Sequence, residues 1–406
     1  MRNKPQPRTS YAQYAIRELF LVAERIEKAG GKIAKVNIGD PVPYFGTPKY
    51  IVDAHCRALK QGKTCYGRSP GEMPFIEAIA ERHKRMYGVE YPMERIFATQ
   101  GASEAIAFLN ICLMGRGSGA LLFRPFYPTY APMVKIYGGR PFFCPCVEEK
   151  GWAPDFGGME AQLRKAKREG IALKYILAIN PCNPTGALWE RAQLKRIARF
   201  ADENGLLLVS DEIYDQLVFG NEKFVSMSQV AKRQPHVVLN GLSKNWCATG
   251  LRIGWMLLGG EEKEVGQLAD AVMRLGTLRL CPNVPAQYAG IEALGNVKAH
   301  KKFLSKFVPE VKRRSDRCWK ALNETPGVSC QRARGAFYLF PKIDIAKAGC
   351  RTDKEFVRKL LENEKVWAVH GSGFGLGGHI RMVTLPEEKV LDSACEGIAR
   401  MMRNGK

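Results

Sequence analysis

Two apolar runs in the sequence end near polar side chains that could do chemistry together. Asp211 and Tyr214 follow the run GLLLVS, Ser243 and Lys244 follow the run HVVLN, and Arg252 comes eight residues after the lysine. A lysine amine can form a covalent Schiff base with a carbonyl carbon, a carboxylate can keep a neighbouring base protonated, and a guanidinium can bind an anion. These groups suit covalent catalysis on an aldehyde that carries an anionic group.

Taken singly, each of these residues has an ordinary structural explanation. Asp211 could pair with an aromatic side chain, Lys244 could be a solvated charge, and NPCNPTG, which contains Asn183, could be only a turn. Taken together they fit pyridoxal phosphate, which needs a lysine for its Schiff base and an acidic partner for its ring nitrogen. Tyr214 and Asn183 could hydrogen-bond its phenolate oxygen, and Lys244 could move the proton during catalysis. Tyr127, in PFYPTY, could stack on the ring or be a core aromatic.

The sequence also contains candidates for binding the phosphate. Gly101, Ala102 and Ser103 stand at the start of an apolar helical pattern, where free backbone N–H groups and the helix dipole favour an anion. A simple helix cap is the alternative interpretation of these three residues. Arg252 adds a guanidinium suited to phosphate, and Ser243 adds a hydroxyl.

Short strands that alternate with amphipathic helices must position these residues. The β-prone runs ALLFRPFYP, IALKYILAINP, GLLLVSDEIY and PHVVLNGLSK alternate with helical patterns such as WERAQLKRIARFADENG, which ends in Asn-Gly. This alternation predicts an α/β domain with a mostly parallel sheet covered by helices on both faces. Because ligands bind outside the carboxyl ends of such strands, the polar residues are expected to converge at one edge of the sheet.

The length of the chain, 406 residues, predicts two domains. After residue 295 a long amphipathic segment, roughly 298–323, precedes two strand-like stretches, GVSCQRARGAFYLFPKID and HIRMVTLP, which the helical pattern TDKEFVRKLLENEKV separates. We therefore expect an N-terminal arm at 1–16, a large domain at 45–295 and a smaller α+β domain formed by 17–44 and 296–406.

Composition argues against several classes of protein. No apolar run is long enough to span a bilayer, and the N-terminal MRNKPQPRTSYAQ lacks the apolar core of a signal peptide, so we expect a cytoplasmic protein with no membrane partner. The 12 cysteines include no paired CxxC spacing, so no metal site is expected. The net charge is +22, but the basic residues are mixed with apolar and acidic neighbours in helical patterns. We interpret this as a solvated basic surface and expect no nucleic-acid partner.

The motifs, in their order along the chain, resemble those of class I/II aminotransferases of the fold type I pyridoxal-phosphate-dependent superfamily. They run from NIGDP through YGRSPG, TQGASEA, PFYPTY, NPCNPTG, SDEIYD and NGLSK to HIRMVTLP and so cover nearly the whole chain. NGLSKNWCATGLRIGWM and RGAFYLFPKID are most similar to the alanine (glutamate–pyruvate) aminotransferase branch. The resemblance implies a large domain whose mostly parallel sheet is sandwiched by helices, a smaller α+β domain, pyridoxal 5′-phosphate as cofactor, and a homodimer with shared active sites.

The resemblance implies a role in cofactor binding for several motif residues. Lys244 would be the Schiff-base lysine, Asp211 the pyridinium partner, and Tyr214 and Asn183 the donors to the phenolate oxygen. The implied phosphate ligands are Gly101, Ala102, Ser103, Ser243 and Arg252, together with Tyr66, which would reach the phosphate of the neighbouring subunit's cofactor. Two positions differ from many relatives: Gly241 replaces a serine, and Ser103 stands where some relatives have lysine or threonine. These differences affect individual phosphate contacts, and Ser243 is available to replace the missing hydroxyl.

The implied reaction transfers an amino group between an L-amino acid, most simply alanine, and 2-oxoglutarate by a ping-pong mechanism. Arg381 would bind the substrate α-carboxylate, and Gly39 lies in the segment that closes over the substrate. Tyr14 and Arg17, three residues apart in YAIRE, would share one face of a helix. We hypothesise that Arg17 binds the distal carboxylate of 2-oxoglutarate; a surface salt bridge is the alternative.

Three other functions stay open at this point. The chain could be an aminotransferase for aspartate or for a broad range of amino acids, or a β-lyase on the same scaffold, since a fold does not fix a reaction. A DNA-binding regulator with an aminotransferase-like domain is the third, but only about forty residues precede the first cofactor motifs, too few for an added DNA-binding domain.

Overall fold

An eight-stranded sheet forms the centre of the structure, a computed structural model that describes residues 4–231 and 233–404. In the order of their pairing, its strands are β2, β9, β8, β7, β6, β3, β4 and β5 when all strands are numbered along the chain. The strands are β1 (Ala34–Lys35), β2 (Ile96–Thr99), β3 (Ser118–Arg124), β4 (Arg140–Val147), β5 (Ala153–Pro154), β6 (Ala172–Ile179), β7 (Leu207–Asp211), β8 (His236–Gly241), β9 (Gly254–Gly259), β10 (Val328–Ser329), β11 (Tyr338–Leu339), β12 (Lys342–Ile343), β13 (Val366–Trp367), β14 (Val369–His370) and β15 (Ile380–Val383).

Helices cover this sheet and make up much of the remaining structure. The α-helices are α1 (Phe20–Lys28), α2 (Val42–Phe45), α3 (Lys49–Lys60), α4 (Met73–Tyr87), α5 (Ala102–Leu113), α6 (Tyr130–Ile136), α7 (Phe156–Arg168), α8 (Arg191–Glu203), α9 (Ser228–Ala231), α10 (Glu262–Arg279), α11 (Val284–Gly295), α12 (Val297–Asn323), α13 (Asp353–Glu364) and α14 (Glu388–Asn404). Short 3₁₀ helices lie at Pro7–Tyr11, Ala15–Arg17, Met93–Arg95, Glu148–Lys150, Thr249–Leu251 and Gly371–Phe374. Within the described ranges, none of the helices combines the length and the apolar character that a membrane crossing needs.

The mostly parallel sheet predicted from the alternating pattern is confirmed. Strands β4, β3, β6, β7 and β8 pair in parallel, whereas β9 pairs antiparallel with both β8 and β2. All six residues of β8 are buried, as expected for a strand covered on both faces. The carboxyl ends of β6, β7 and β8 therefore lie side by side, which brings the polar residues after them to one edge of the sheet.

Local signals in the sequence explain where individual helices begin and end. The pattern WERAQLKRIARFADENG predicts α8, and a capping box between Glu190 and Gln193 starts this helix. After Asn204 the chain turns at Gly205, whose φ is +61°. The amphipathic segments predicted at roughly 298–323 and in TDKEFVRKLLENEKV form α12 and α13, so both predictions are confirmed.

The strands outside the large sheet are short. Those around β13 and β15 join the N-terminal part of the chain to its C-terminal part. β1 pairs in parallel with β13, and the backbone N–H of Val383 donates to the oxygen of Val36, so the segment around residue 36 lies between β13 and β15. β11 and β14 both pair antiparallel with β15. The boundaries of the two expected domains stay a prediction; all eight strands of the large sheet lie between residues 96 and 259.

The N-terminal segment differs from the helix considered for YAIRE. Tyr14 has an extended conformation and precedes a three-residue 3₁₀ helix, Ala15–Arg17, instead of sharing an α-helix with Arg17. The first α-helix begins only at Phe20. The i, i+3 argument for one helical face therefore does not apply. The role of each side chain has to be argued from its own position in the structure.

Candidate active site

A cavity of about 450 Å³ lies at the carboxyl ends of β6, β7 and β8, where residues from both ends of the chain meet them. Most of the site residues predicted from the sequence line it: Tyr14, Arg17, Gly39, Ala102, Ser103, Tyr127, Asn183, Asp211, Tyr214, Ser243, Lys244, Arg252 and Arg381. Gly101 lies next to this lining at the start of α5, and Tyr66 lies outside it with 84% of its side chain exposed. The structure thus brings together nearly all of the predicted set.

Lys244 is partly buried and extends into the cavity. Its Nζ donates a hydrogen bond of 2.6 Å to the backbone oxygen of Gly39. The pKa of the Lys244 amine is lowered to about 8, mainly by burial and also by the nearby guanidinium groups of Arg381 and Arg252, against the attraction of Asp40. A substantial fraction of the amine is therefore neutral near physiological pH, as a nucleophile or a base requires.

Asp211 is buried at the end of β7 with 4% exposure. Its carboxylate accepts hydrogen bonds from the hydroxyl of Tyr130 at 2.7 Å and from the backbone N–H of Ile213 at 3.1 Å. Burial raises the pKa of Asp211 to about 6, and these two donors limit the rise. Sequence reasoning missed Tyr130, although it ends the motif PFYPTY, in which only Tyr127 was singled out. A buried carboxylate fixed by two donors can face a cationic ring nitrogen without moving.

Arg381 is buried almost completely and faces the cavity from β15. It donates to the side-chain oxygen of Asn183 at 3.3 Å and to the backbone oxygen of Asn37. Its guanidinium lies 4.8 Å from the ring centre of Tyr338 and 5.0 Å from that of Phe374. A guanidinium held by two rings and two hydrogen bonds is suited to bidentate binding of a carboxylate.

A glycine turn lies where α5 begins. Gly101 has a φ of +72°, and a Cβ at this position would lie 2.5 Å from Nη2 of Arg252. Glycine at position 101 therefore allows the guanidinium of Arg252 to pack directly against the turn. Ser103, in the first turn of α5, is exposed to the cavity, and Nη1 of Arg252 donates to the oxygen of Thr249 at 3.0 Å. A Cβ at Gly241 would lie 2.7 Å from the oxygen of Ile253, so a serine there would require this backbone to shift.

The N-terminal segment forms another wall of the cavity. The hydroxyls of Tyr14 and Tyr127 are 3.1 Å apart, so the residue considered for ring stacking is tied to the segment that precedes Arg17. Arg17 is exposed and lines the cavity. The surface salt bridge considered as an alternative for Arg17 is not found among the ion pairs of the described residues.

Next to Asp211, Glu212 is also buried but does not line the cavity. Its Oε1 accepts hydrogen bonds from the backbone N–H of Met227 at 2.8 Å and from the hydroxyls of Ser210 and Ser226 at 3.0 and 3.1 Å. Burial raises the pKa of Glu212 from 4.5 to about 8, despite these donors. The folded protein therefore keeps a proton on Glu212 at pH values where the unfolded chain has lost it.

Replacing Glu212 with glutamine is expected to remove one component of the pH dependence of stability. Between the unfolded pKa of 4.5 and the folded pKa of about 8, folding of the wild type takes up a proton, so its stability falls as the pH rises. We expect the free energy of unfolding of the wild type to fall relative to that of Glu212→Gln by about 1.4 kcal/mol per pH unit in this window. Urea unfolding at several pH values measures this difference, with Glu94→Gln at an exposed position as the control. Parallel pH profiles for wild type and Glu212→Gln would contradict it.

The residues of the cavity fit pyridoxal phosphate. A partly buried amine with a lowered pKa, a buried carboxylate, and a glycine turn closed by an arginine line one space of about 450 Å³. These are the groups that a phosphorylated pyridine aldehyde requires: a covalent anchor, a partner for its ring nitrogen and a phosphate site.

Comparison with known proteins supports this fit. The sequence profile of the family described as aminotransferase class I and II matches residues 33–398. The chain is 33% identical over 383 residues to the glutamate-pyruvate aminotransferase AlaA of Escherichia coli K12, covering 94% of this chain and 93% of that one. The solved structure of an alanine aminotransferase from Pyrococcus furiosus is similar with a TM-score of 0.92 and 38% identity, covering 98% of this chain and all of that one. An aspartate aminotransferase from Thermus thermophilus with maleate is similar with a TM-score of 0.87 and 28% identity, over 98% of this chain and all of that one.

Proposed function

Because the chain belongs to the aminotransferase class I and II family and uses pyridoxal 5′-phosphate, we propose that it transfers the amino group of alanine to 2-oxoglutarate. The products would be pyruvate and glutamate, formed in two half-reactions of a ping-pong mechanism. The observation that carries the proposal is that Lys244, Asp211 and Arg381 line one cavity. The relatives named for alanine and for glutamate and pyruvate support this choice among amino acids.

In the proposed mechanism the side chains of this chain bind, orient and move protons. The bound cofactor supplies an aldehyde carbon and an electron-withdrawing ring. Asp211 would hold a proton on the ring nitrogen, and Tyr214 and Asn183 would donate to the phenolic oxygen. Lys244 takes the proton from the α-carbon of the amino acid, and its lowered pKa of about 8 suits this task near neutral pH.

Different residues of the cavity lining would bind the phosphate and the substrate. Backbone N–H groups and the hydroxyl of Ser103 at the start of α5, together with Ser243 and Arg252, would hold the phosphate. Arg381 would bind the α-carboxylate in a bidentate manner. A substrate held by Arg381 would therefore lie in the same cavity as the amine of Lys244.

A panel of amino donors with 2-oxoglutarate tests the proposed substrates. Alanine is expected to give the highest kcat/KM, with pyruvate and glutamate formed in equal amounts. A higher value with aspartate would assign the chain to a different or broader substrate range. Pyruvate and ammonia from a donor with a leaving group on its β-carbon, such as cysteine, without a new amino acid would instead identify a β-lyase.

Replacing Arg17 with alanine is expected to raise KM for 2-oxoglutarate about tenfold, as for the loss of one charge-assisted hydrogen bond. Alanine has no second carboxylate, so its KM should change little. Steady-state kinetics with each substrate varied in turn measure the difference. Lys28→Ala, which removes an exposed cation paired with Glu24 at 3.2 Å, is the matched control. An unchanged KM for 2-oxoglutarate would exclude this role for Arg17.

We also propose a homodimer in which Tyr66 reaches the cofactor of the partner subunit. Tyr66 is 84% exposed, and Leu278 and Leu280 are 83% and 51% exposed. The segments that carry these side chains are in contact, because the backbone N–H of Gly67 lies 3.4 Å from Sγ of Cys281. An exposed patch of large apolar side chains is typical of a surface covered by another chain. Sedimentation velocity would give the mass of the assembly, and a monomer at all concentrations would refute the proposal.

A further inference from the structure

We propose that Tyr338 is a positioning residue with two separable tasks: its ring fixes the guanidinium of Arg381, and its hydroxyl orients the hydroxyl of Tyr214. The inference rests on the proposed function, because it concerns how the carboxylate-binding arginine and the donor to the cofactor's phenolic oxygen are held. The sequence motifs did not single out Tyr338. It belongs to the stretch GAFYLF in the C-terminal part of the chain.

The strand register brings Tyr338 beside Arg381. In the antiparallel pair of β11 and β15, Tyr338 lies opposite Val383. Arg381 precedes Val383 by two residues, so it lies on the same face as Tyr338, at the diagonal position that aromatic and long side chains can span. The guanidinium carbon of Arg381 accordingly lies 4.8 Å from the centre of the Tyr338 ring.

The ring of Tyr338 is one of two aromatic rings that contact this guanidinium. The other is the ring of Phe374, with its centre 5.0 Å from the guanidinium carbon. Both aromatic residues are buried, so the cation–π attraction is not weakened by water. Removing the Tyr338 ring would leave Arg381 held by Phe374 and by its hydrogen bonds to Asn183 and Asn37, with more freedom to leave the orientation that binds a carboxylate bidentately.

The hydroxyl of Tyr338 has a different contact from the ring. It lies 2.7 Å from the hydroxyl of Tyr214, a hydrogen-bond distance, and both residues are buried. Burial raises the pKa of Tyr338 to about 12, so the hydroxyl keeps its proton at physiological pH. When Tyr214 donates its own proton to the phenolic oxygen of the cofactor, Tyr338 can donate to the oxygen of Tyr214. A donor that itself accepts a hydrogen bond is polarised and becomes a stronger donor.

The backbone at Gly39 leaves the Tyr338 hydroxyl little room to move. A Cβ at position 39 would lie 2.3 Å from this oxygen, so the hydroxyl packs directly against the glycine. The backbone oxygen of Gly39 is also the acceptor for the amine of Lys244. The hydroxyl is thus confined between Tyr214 and the segment that contacts the catalytic amine.

Two variants of Tyr338 separate the two tasks. Tyr338→Phe keeps the ring and removes only the hydroxyl, whereas Tyr338→Leu removes both. Tyr175→Phe is the matched control, because its buried hydroxyl donates to Asn110 at 3.1 Å and does not line the cavity. Tyr214→Phe serves as the reference for losing the direct donor. Circular dichroism and cofactor content establish that each variant folds and carries its cofactor.

The readouts are the pH midpoint of the absorbance change of the bound cofactor, measured without substrate, and KM for each substrate. Tyr338→Phe is expected to move the midpoint in the same direction as Tyr214→Phe, by at least about half a pH unit, with KM values close to wild type. Tyr338→Leu is expected to raise KM for both alanine and 2-oxoglutarate about tenfold beyond Tyr338→Phe. Tyr175→Phe should match the wild type in both readouts.

The outcomes distinguish this inference from the proposed function. A midpoint that moves in Tyr214→Phe but not in Tyr338→Phe would overturn the task of the hydroxyl and leave the proposed function intact. Equal KM values in Tyr338→Phe and Tyr338→Leu would overturn the task of the ring. If Tyr214→Phe also left the midpoint unchanged, the assignment of Tyr214 within the proposed function would fail together with the inference.

Discussion

Replacing Lys244 with alanine is expected to reduce kcat by about 10⁴-fold or more, since in the proposed mechanism this lysine is both the covalent anchor and the base that moves the α-carbon proton. Lys244 is the only lysine that lines the described cavity, so no neighbouring amine is placed to take over. The measurement is single-turnover transfer from alanine to 2-oxoglutarate with the reconstituted protein. Cofactor should still bind through its phosphate, but borohydride reduction should no longer attach it to the chain.

The control for this prediction is Lys49→Ala. Lys49 is exposed and pairs with Asp53 at 2.7 Å on α3, away from the cavity lining. Its removal takes away one positive charge without touching the site, so kcat should stay at the wild-type value. Turnover near the wild-type rate in Lys244→Ala would refute the proposed mechanism as a whole.

Replacing Asp211 with asparagine is expected to reduce kcat by about 10²- to 10³-fold, a typical cost for losing one preorganised electrostatic contact in a buried site. Asparagine has almost the same shape, and its single side-chain oxygen can still accept from the backbone N–H of Ile213, as Oδ1 of Asp211 does at 3.1 Å. Its amide nitrogen replaces the Oδ2 that accepts from Tyr130 at 2.7 Å, so at that contact the hydroxyl of Tyr130 must become the acceptor. In the proposed mechanism the variant also loses the negative charge that would hold the proton on the ring nitrogen. The effect should appear in kcat much more than in KM.

Two further variants test whether charge is the cause. Asp211→Glu keeps the charge but shifts its position, so its kcat should lie between those of the wild type and Asp211→Asn. Tyr130→Phe keeps both the charge and its place and removes one donor, so its effect should be smaller than that of Asp211→Asn. Equal kcat values in the wild type and Asp211→Asn would show that the carboxylate does not assist the chemistry.

Several of the residues that sequence reasoning singled out stand in motifs next to the end of a strand or the start of a helix. Asp211 and Lys244 follow apolar runs whose strand character was clear, and the parallel sheet then brings them together. Local patterns of this kind predict elements well because hydrophobic periodicity and capping residues determine them. The mostly parallel sheet, α8, α12 and α13 were predicted on the same grounds.

The residues that were missed depend on contacts between distant parts of the chain. Tyr338, which was missed, contacts Tyr214 at a distance of 124 positions along the chain. Asn37, also missed, contacts Arg381 at a distance of 344 positions. No local sequence pattern predicts such contacts, because they depend on strand register and on the packing of distant segments. The helix considered for YAIRE was wrong for the same reason: Tyr14 is extended, and its hydroxyl contacts that of Tyr127, which is 113 positions away. The role of Arg17 stays a prediction.

The pairing of β1 with β13 has a consequence for the order in which the protein can assemble on the ribosome. Residues 34–39 are made early, but their strand partners at 366–367 and their contact at Val383 emerge only after the large sheet, which ends at residue 259, has been completed. Domains generally fold as units while synthesis proceeds. The large sheet can therefore bring Asp211 near Lys244 before residues 34–39 have any strand partner. Asn37 and Gly39 reach Arg381 and Lys244 only when that late segment has emerged. A nascent chain that ends before residue 366 is therefore expected to contain the amine of Lys244 but not Arg381, the residue proposed to bind the substrate's carboxylate.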